Sequence, residues 1–202
     1  MFDSDLNRKD VPDPRRRAFL GAAVVALCGA ALWSLRKPHP LRTVAAASKP
    51  PEQVTIVQFS DAGERLKAVR VAKVVKSEAE WRQQLSGNAF DITRHADTEM
   101  AYSGKYWNLH DKGIYRCICC DNALFTSETK FESGTGWPSF WAPIAKENVT
   151  ETRDRSFGMD RTAVFCTECD AHLGHLFDDG PRPTGLRYCI NSASLTFTRE
   201  KH

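Results

Sequence analysis

The sequence predicts a small, mainly β domain of short antiparallel hairpins, held by a metal site and preceded by short helices. Three observations predict it. Beyond Tyr102, short runs of aromatic and β-branched residues alternate with Gly, Pro, Asn and Asp, the pattern of hairpins rather than of βαβ units. Four of the seven cysteines form two separated C-x-x-C pairs, Cys117 with Cys120 and Cys166 with Cys169. That spacing marks a metal site before it marks a disulfide framework. Finally, 202 residues with 42% hydrophobic and 26% charged side chains suit one globular core plus an extension. This excludes a disordered chain, a collagen-like chain and a multi-pass membrane protein.

The extension is N-terminal. Residues 1–47 hold eight Lys/Arg and four Asp/Glu. The rest holds 20 basic and 21 acidic residues, so the globular part carries no excess that would bind phosphate backbones. Arg15-Arg16-Arg17-Ala18-Phe19-Leu20 opens an uncharged run from Ala18 to Leu35, followed by Arg36, Lys37 and Arg42. The segment resembles a bacterial twin-arginine (Tat) export signal, with a weakly apolar, Ala- and Gly-rich run after paired arginines. It is either cleaved near Ala45-Ala46-Ala47 or kept as an inner-membrane anchor, with the domain exported to the periplasm in both cases. Cys28 lies inside the run. Leu27 before it argues against a lipid-modified cysteine, so Cys28 reads as a small apolar residue.

Residues 48–74 read as a linker, with one short strand at Val54-Thr55-Ile56-Val57. The folded domain is expected over 75–202. Ser77 can cap a helix, with Glu80 three residues on and Trp81 and Leu85 on one face. Gly87 ends it, and a second short helix is expected over 88–96. Strands are expected around Gly113-Ile114-Tyr115-Arg116, Ala163-Val164-Phe165 and Ser194-Leu195-Thr196-Phe197-Thr198.

Each C-x-x-C turn can bring two sulfurs to one side of the chain, and two turns complete a tetrahedral four-thiolate site of the structural zinc kind. The ligands expected are Cys117, Cys120, Cys166 and Cys169. The 45 residues between the pairs exceed a simple zinc ribbon, so the knuckles belong to separate hairpins that the metal staples together. Two disulfides are the alternative in an exported protein, but a bond closing so short a loop constrains the unfolded chain little. Cys119 reads as a spare thiol.

The remaining cysteine, Cys189, lies in Arg187-Tyr188-Cys189-Ile190-Asn191-Ser192. In a strand, Arg187, Cys189 and Asn191 share one face. A cationic neighbour lowers a thiol pKa, and the thiolate is the nucleophile. His172 and His175, in His172-Leu173-Gly174-His175, can supply protons near neutral pH. Trp137, between glycine and proline in Gly134-Thr135-Gly136-Trp137-Pro138-Ser139-Phe140, suits a pocket wall. Each residue alone has a plainer reading: a buried filler cysteine, structural histidines, a core tryptophan, a solvated arginine.

Together these segments, over residues 77 to 199, resemble the B-type peptide methionine sulfoxide reductases, which act on the R epimer. The resemblance rests on both knuckles and on the segments at 136–140, 172–175 and 187–192. It implies two small antiparallel sheets in a tent-like arrangement, with one structural zinc distal to the reaction site. It implies that Cys189 attacks the sulfoxide sulfur, and that His172, His175, Asp179 and Arg187 bind and protonate the sulfoxide oxygen. It further implies that Trp137 packs on the substrate methyl group, that Asn191 orients the network and that Cys189 emerges as a sulfenic acid. Substrates would be oxidised peptides and proteins, with a thioredoxin-like or other thiol as reductant.

Many family members carry a resolving cysteine where this chain has Thr135, which implies direct reduction by an external thiol or, after rearrangement, a role for Cys119. The competing classes are a zinc-stabilised binding module without catalysis, a nucleic-acid-binding zinc ribbon and a C-x-x-C thiol oxidoreductase. The first would not need Cys189 beside Arg187 and two histidines. The second conflicts with the near-neutral domain. The third needs its active cysteine paired within one motif in a βαβ context.

Overall fold

A computed structural model describes residues 51–155 and 158–200. The export segment at 15–47, Cys28 included, lies outside the described residues. No helix among the described residues is long and apolar enough to cross a membrane.

The described chain is mainly β, with small antiparallel sheets and two short helices. The stretch expected as a linker with one strand is instead a ribbon of two strands, β1 (Gln53–Phe59) and β2 (Arg65–Ala72). Its turn includes Asp61-Ala62-Gly63, with Gly63 at φ +84°, a left-handed conformation that glycine adopts without strain. The ribbon is fixed by a side chain. The fully buried Asn148 accepts from the Val57 N–H at 2.7 Å and donates to the Val57 and Ala123 carbonyls at 2.8 and 2.7 Å.

Helix α1 (Glu78–Gln84) begins as expected. Ser77 Oγ accepts from the Glu80 N–H, and the Glu80 carboxylate accepts from the Ser77 N–H, satisfying two otherwise orphaned donors. Helix α2 (Gly87–His95) follows at once, with Ser86 as its N-cap. Trp81, Ala89, Phe90 and Ile92 are their buried face.

The other nine strands are β3 (Gly113–Cys117), β4 (Ala123–Thr126), β5 (Lys130–Phe131), β6 (Ser139–Phe140), β7 (Val149–Asp154), β8 (Arg161–Cys166), β9 (His172–Phe177), β10 (Arg187–Ile190) and β11 (Leu195–Arg199). They form a three-stranded sheet ordered β11-β3-β4 and a six-stranded sheet ordered β5-β6-β10-β9-β8-β7. Aromatic rings join the two. Phe125 of the smaller sheet stacks on Phe140 of the larger at 4.5 Å, and Tyr115 meets Phe140 edge-on at 5.0 Å. Such pairs contribute roughly 1 kcal/mol each beyond the area they bury. Tyr188 and Ile190 point into this core at 4% and 0% exposure. Alternation along β10 therefore turns Arg187 and Cys189 to the opposite face of the sheet.

Candidate active site and metal centre

The two cysteine knuckles are built alike. In the first, the Asp121 N–H donates to the Cys117 carbonyl and the Cys117 N–H donates to the Asn122 carbonyl, at 2.9 and 2.8 Å. In the second, the Asp170 N–H donates to Cys166 and the Cys166 N–H to Ala171, at 3.0 and 2.9 Å. Asp121 and Asp170, each directly after the second cysteine, sit at φ +65° and +55°. Aspartate tolerates that left-handed conformation better than most residues. Cys117 ends β3 and Cys166 ends β8, so the knuckles come from different sheets.

The four sulfurs lie within 4.8 Å of one another. Cys117 Sγ is 3.6 Å from Cys169 Sγ, and Cys120 Sγ is 3.5 Å from Cys166 Sγ. A tetrahedral ion about 2.3 Å from each sulfur would hold neighbouring sulfurs roughly 3.8 Å apart, so the donor set and its spacing fit a four-thiolate metal site. Cys119 is 4% exposed and its thiol neighbours Cys117, Cys169 and Thr93. It is buried against the cluster.

Cys189 occupies a row of cross-strand partners: Ser139 on β6, Cys189 on β10, His175 on β9 and Ala163 on β8. Directly opposed residues share a face, so Cys189, His175 and Ser139 look the same way. The backbones approach closely here. A Cβ on Gly174 would lie 2.0 Å from the Cys189 carbonyl oxygen, so only glycine fits.

Arg187, two residues before Cys189, grips Asp179 with two hydrogen bonds of 2.8 and 2.9 Å. Its guanidinium also stacks over the Phe177 ring at 4.3 Å. Arg187 is thereby fixed beside the sulfur, while the exposed carboxylate of Asp179 is held below its ordinary range by the arginine. Burial pushes the Cys189 thiol up, and the Arg187 charge and the Thr135 hydroxyl recover only part of that. That direction runs against the sequence-based expectation that the arginine would prevail. Desolvation of the charged form is the larger effect at a site walled by strands.

The two histidines are three residues apart, which in a regular strand puts them on opposite faces. They share a face because β9 bulges: Val164 pairs with Gly174 but Phe165 pairs with His172, so Leu173 is the extra residue. The rings meet at 5.3 Å. Their environments differ. His175 Nε2 lies 2.9 Å from Asp154 Oδ2. A carboxylate only accepts, so Nε2 carries the proton. Arg161 holds the same oxygen at 2.8 Å. His172 is 2% exposed, its ring bonds the Ile92 carbonyl of α2, and its Nδ1 has no hydrogen-bond partner. Burial and the neighbouring His175 push its pKa down to about 4. It is neutral where His175 faces a carboxylate. A cleft of about 750 Å³ opens beside them, lined in part by Phe165, Arg161, Asp154, His172 and His175. Cys189 and Trp137 lie outside its lining.

Trp137 stands half-buried on a loop whose backbone is tied to Tyr102. Gly136, at φ +86°, accepts from the Tyr102 N–H at 2.8 Å, and a Cβ there would lie 2.8 Å from that nitrogen. The indole N–H donates to the Glu99 carbonyl at 3.1 Å.

The SelR domain family matches residues 85–199, more than half of the chain. The chain belongs to the MsrB-type, SelR-domain peptide methionine sulfoxide reductase family. It is 58% identical over 125 residues to the peptide methionine sulfoxide reductase MsrB of Herminiimonas arsenicoxydans, covering 62% of this chain and 91% of that protein. The MsrB of Hahella chejuensis is 57% identical over 125 residues, 62% of this chain and 90% of that protein. The chloroplastic peptide methionine sulfoxide reductase B1 of Oryza sativa is 58% identical over 120 residues, 59% of this chain and 56% of that protein.

Within this SelR-domain site, Cys189, Arg187, Asp179, His175 and Thr135 lie together, with His172 behind His175. Asn191 faces elsewhere. Its amide donates to the Leu173 carbonyl at 3.1 Å and accepts from the Glu99 N–H at 3.0 Å, so it acts on backbone and not directly on the sulfur or the histidines. Sequence reading missed Asp154 and Arg161, which hold His175. It also missed Glu99, whose carboxylate accepts from the Ser192 and Ala193 N–H groups at 2.6 and 3.0 Å. Neither acid sits in a recognisable motif, and only the folded chain brings them to their partners.

Proposed function

We propose that the protein reduces the R epimer of methionine sulfoxide in peptides and proteins, with Cys189 as the nucleophile. The observation that carries this reading is the placement of Cys189 beside a clamped Arg187 and opposite His175 on the neighbouring strand. As the Cys189 sulfur attacks the sulfoxide sulfur, the oxygen needs a proton to leave. The thiol can supply one, and Arg187 can bind the oxygen as charge develops on it, while the His175 ring stands across on β9 with its N–H given to Asp154. The oxygen then passes to the Cys189 sulfur as the substrate S–O bond and the nascent S–S bond break, so that methionine departs and Cys189 keeps the oxygen as a sulfenic acid. Trp137 forms the apolar wall for the methyl group. A zinc-stabilised binding module gives no reason for this surround of a single thiol.

Three further points belong to the same proposal. Cys117, Cys120, Cys166 and Cys169 would hold one zinc ion, which supplies folding free energy and no chemistry at Cys189. An external thiol, of the thioredoxin type or smaller, would reduce the sulfenic acid, since Thr135 stands beside Cys189 and Cys119 is buried against the metal cluster. The N-terminal segment would export the folded, metal-loaded domain by the twin-arginine route, for repair outside the cytoplasm.

One single-turnover experiment tests the activity. Purified protein, given a peptide with resolved R and S sulfoxides, should convert one equivalent of the R form and leave Cys189 labelled by a sulfenic-acid trap. Equal conversion of the S form would overturn the stereochemical assignment. Changing Arg16 and Arg17 together to lysine should leave the precursor in the cytoplasm; a variant still found outside it would overturn the export route.

A further inference from the structure

Beside Cys189 runs a chain of hydroxyls that the reaction as proposed does not use. Thr135 Oγ1 lies 4.0 Å from Cys189 Sγ, a long contact of the kind sulfur allows. Thr135 Oγ1 is 2.8 Å from Ser133 Oγ, and Ser133 Oγ is 2.7 Å from Ser139 Oγ. Ser139, fully buried and cross-strand from Cys189, donates to the Trp137 carbonyl at 3.2 Å.

A hydroxyl has one proton to donate and two lone pairs to accept with, whereas a carbonyl only accepts. With Ser139 donating to Trp137, Ser133 donates to Ser139 and Thr135 donates to Ser133. Thr135 Oγ1 is then left as an acceptor facing the sulfur. The chain can also run the other way. Ser139 then donates to Ser133, Ser133 to Thr135, and Thr135 to the sulfur. Turning it round gives up only the 3.2 Å bond to Trp137, the longest of the three oxygen–oxygen links, and moves no heavy atom.

We propose that Thr135, Ser133 and Ser139 form a reversible hydroxyl chain that serves Cys189 in each of its states. It accepts from the thiol and from the sulfenic acid, and it donates to the thiolate. This rests on the reading of Cys189 as the reacting sulfur. In the forward step the bond from Cys189 sulfur to oxygen forms as the substrate S–O bond breaks, and the thiol proton stays with the oxygen. The new S–OH group is a donor, as S–H was, so Thr135 can hold it in the same orientation. In the return step the sulfur of a donor thiol bonds to Cys189, the S–O bond breaks, and the hydroxyl leaves as water with the donor's proton. Ser133 and Ser139 act through Thr135 and are positioning residues. The charged and titratable groups facing Cys189 are Arg187 on its own strand, Asp179 through Arg187, and His175 across on β9.

Donation to an anion is stronger than acceptance from a neutral thiol. Loss of the Thr135 hydroxyl should therefore disfavour the thiolate on balance. The test is iodoacetamide alkylation of Cys189 in the full-length, zinc-loaded protein across pH, read from the mass of the Cys189 peptide. It involves no methionine sulfoxide, so its outcome is separate from that of the activity assay. Thr135→Val should move the alkylation midpoint up by about half a pH unit, the size of one weak hydrogen bond. Thr135→Ser should restore the wild-type profile. Ser133→Ala, which leaves the sulfur's neighbours in place, should move it the same way by less. A wild-type profile in both Thr135→Val and Ser133→Ala, or a Thr135→Ser variant that matches Thr135→Val, would overturn the proposal.

Discussion

The cysteine cluster and the Cys189 site use the same atom in opposite surroundings. At the cluster, four sulfurs crowd within 4.8 Å, held by two turns of one design and shared between two sheets. At Cys189, a single sulfur sits mid-strand among a guanidinium, a hydroxyl and an imidazole. Four thiolates in such close contact would need a cation between them, and a bound ion would commit their lone pairs to holding the fold. A lone thiol with polar neighbours of several kinds stays available to react. What separates structural from reactive sulfur here is the company each keeps, not depth alone.

The largest expected effect breaks the reactive side of that comparison and leaves the other intact. Cys189→Ser should remove sulfoxide reduction altogether, because serine offers no comparable nucleophile near neutral pH. Metal content and melting temperature should stay at wild-type values. Turnover above background in a folded sample would show that another sulfur reacts.

Cys166→Ser attacks the structural side. It should lower zinc content and thermal stability together, as structural zinc binding is worth on the order of 10 kcal/mol of folding free energy. A metal assay returning a full complement would show that Cys166 is no ligand.

Next in size is an acid effect at His172. Its folded pKa of about 4 is below that of an unfolded histidine, so the unfolded chain binds the extra proton first. The stability from its neutral burial is present above about pH 6.5 and is lost as pH falls toward 4, by up to about 3 kcal/mol. Denaturant midpoints at pH 7 and 4.5 should diverge less in His172→Gln than in the wild type. Equal divergence would mean that the ring's burial does not govern the acid response.

The smallest effect is at Asp179. It is 59% exposed, and its ion pair with Arg187 is of the kind worth no more than about 1 kcal/mol. Asp179→Asn should lower kcat/KM by no more than roughly five-fold, with the melting temperature falling by no more than a few degrees. A hundred-fold loss would mean that Asp179 does more than hold the arginine.

The cysteine knuckles were legible in the sequence because their geometry is local: two cysteines and the aspartate after them fix each turn. The capped helix at Ser77 was legible for the same reason. The face shared by His172 and His175 was not, since a spacing of three denies it and the bulge that permits it depends on how β8 pairs with β9. Asp154 and Glu99 were hidden because they act across 21 and 93 residues of sequence. The second strand of the N-terminal ribbon was missed although Asp61-Ala62-Gly63 lies between two β-branched runs. Its alternation is blurred by a row of exposed residues, Arg65 to Ala68.

The ribbon's attachment through Asn148 bears on where this domain can be cut. The amide stands in for a strand edge, mating with Val57 as another backbone would. A shortened protein beginning at residue 75, where the sequence alone suggests the domain starts, would still span the whole SelR match from residue 85. It would also strip a fully buried amide of its Val57 partners and uncover Ala123 and Asn122 beside it. Orphaned polar groups of that kind cost about 1–3 kcal/mol each. A soluble expression boundary therefore belongs ahead of Gln53, in the stretch that a family alignment would discard as a tail.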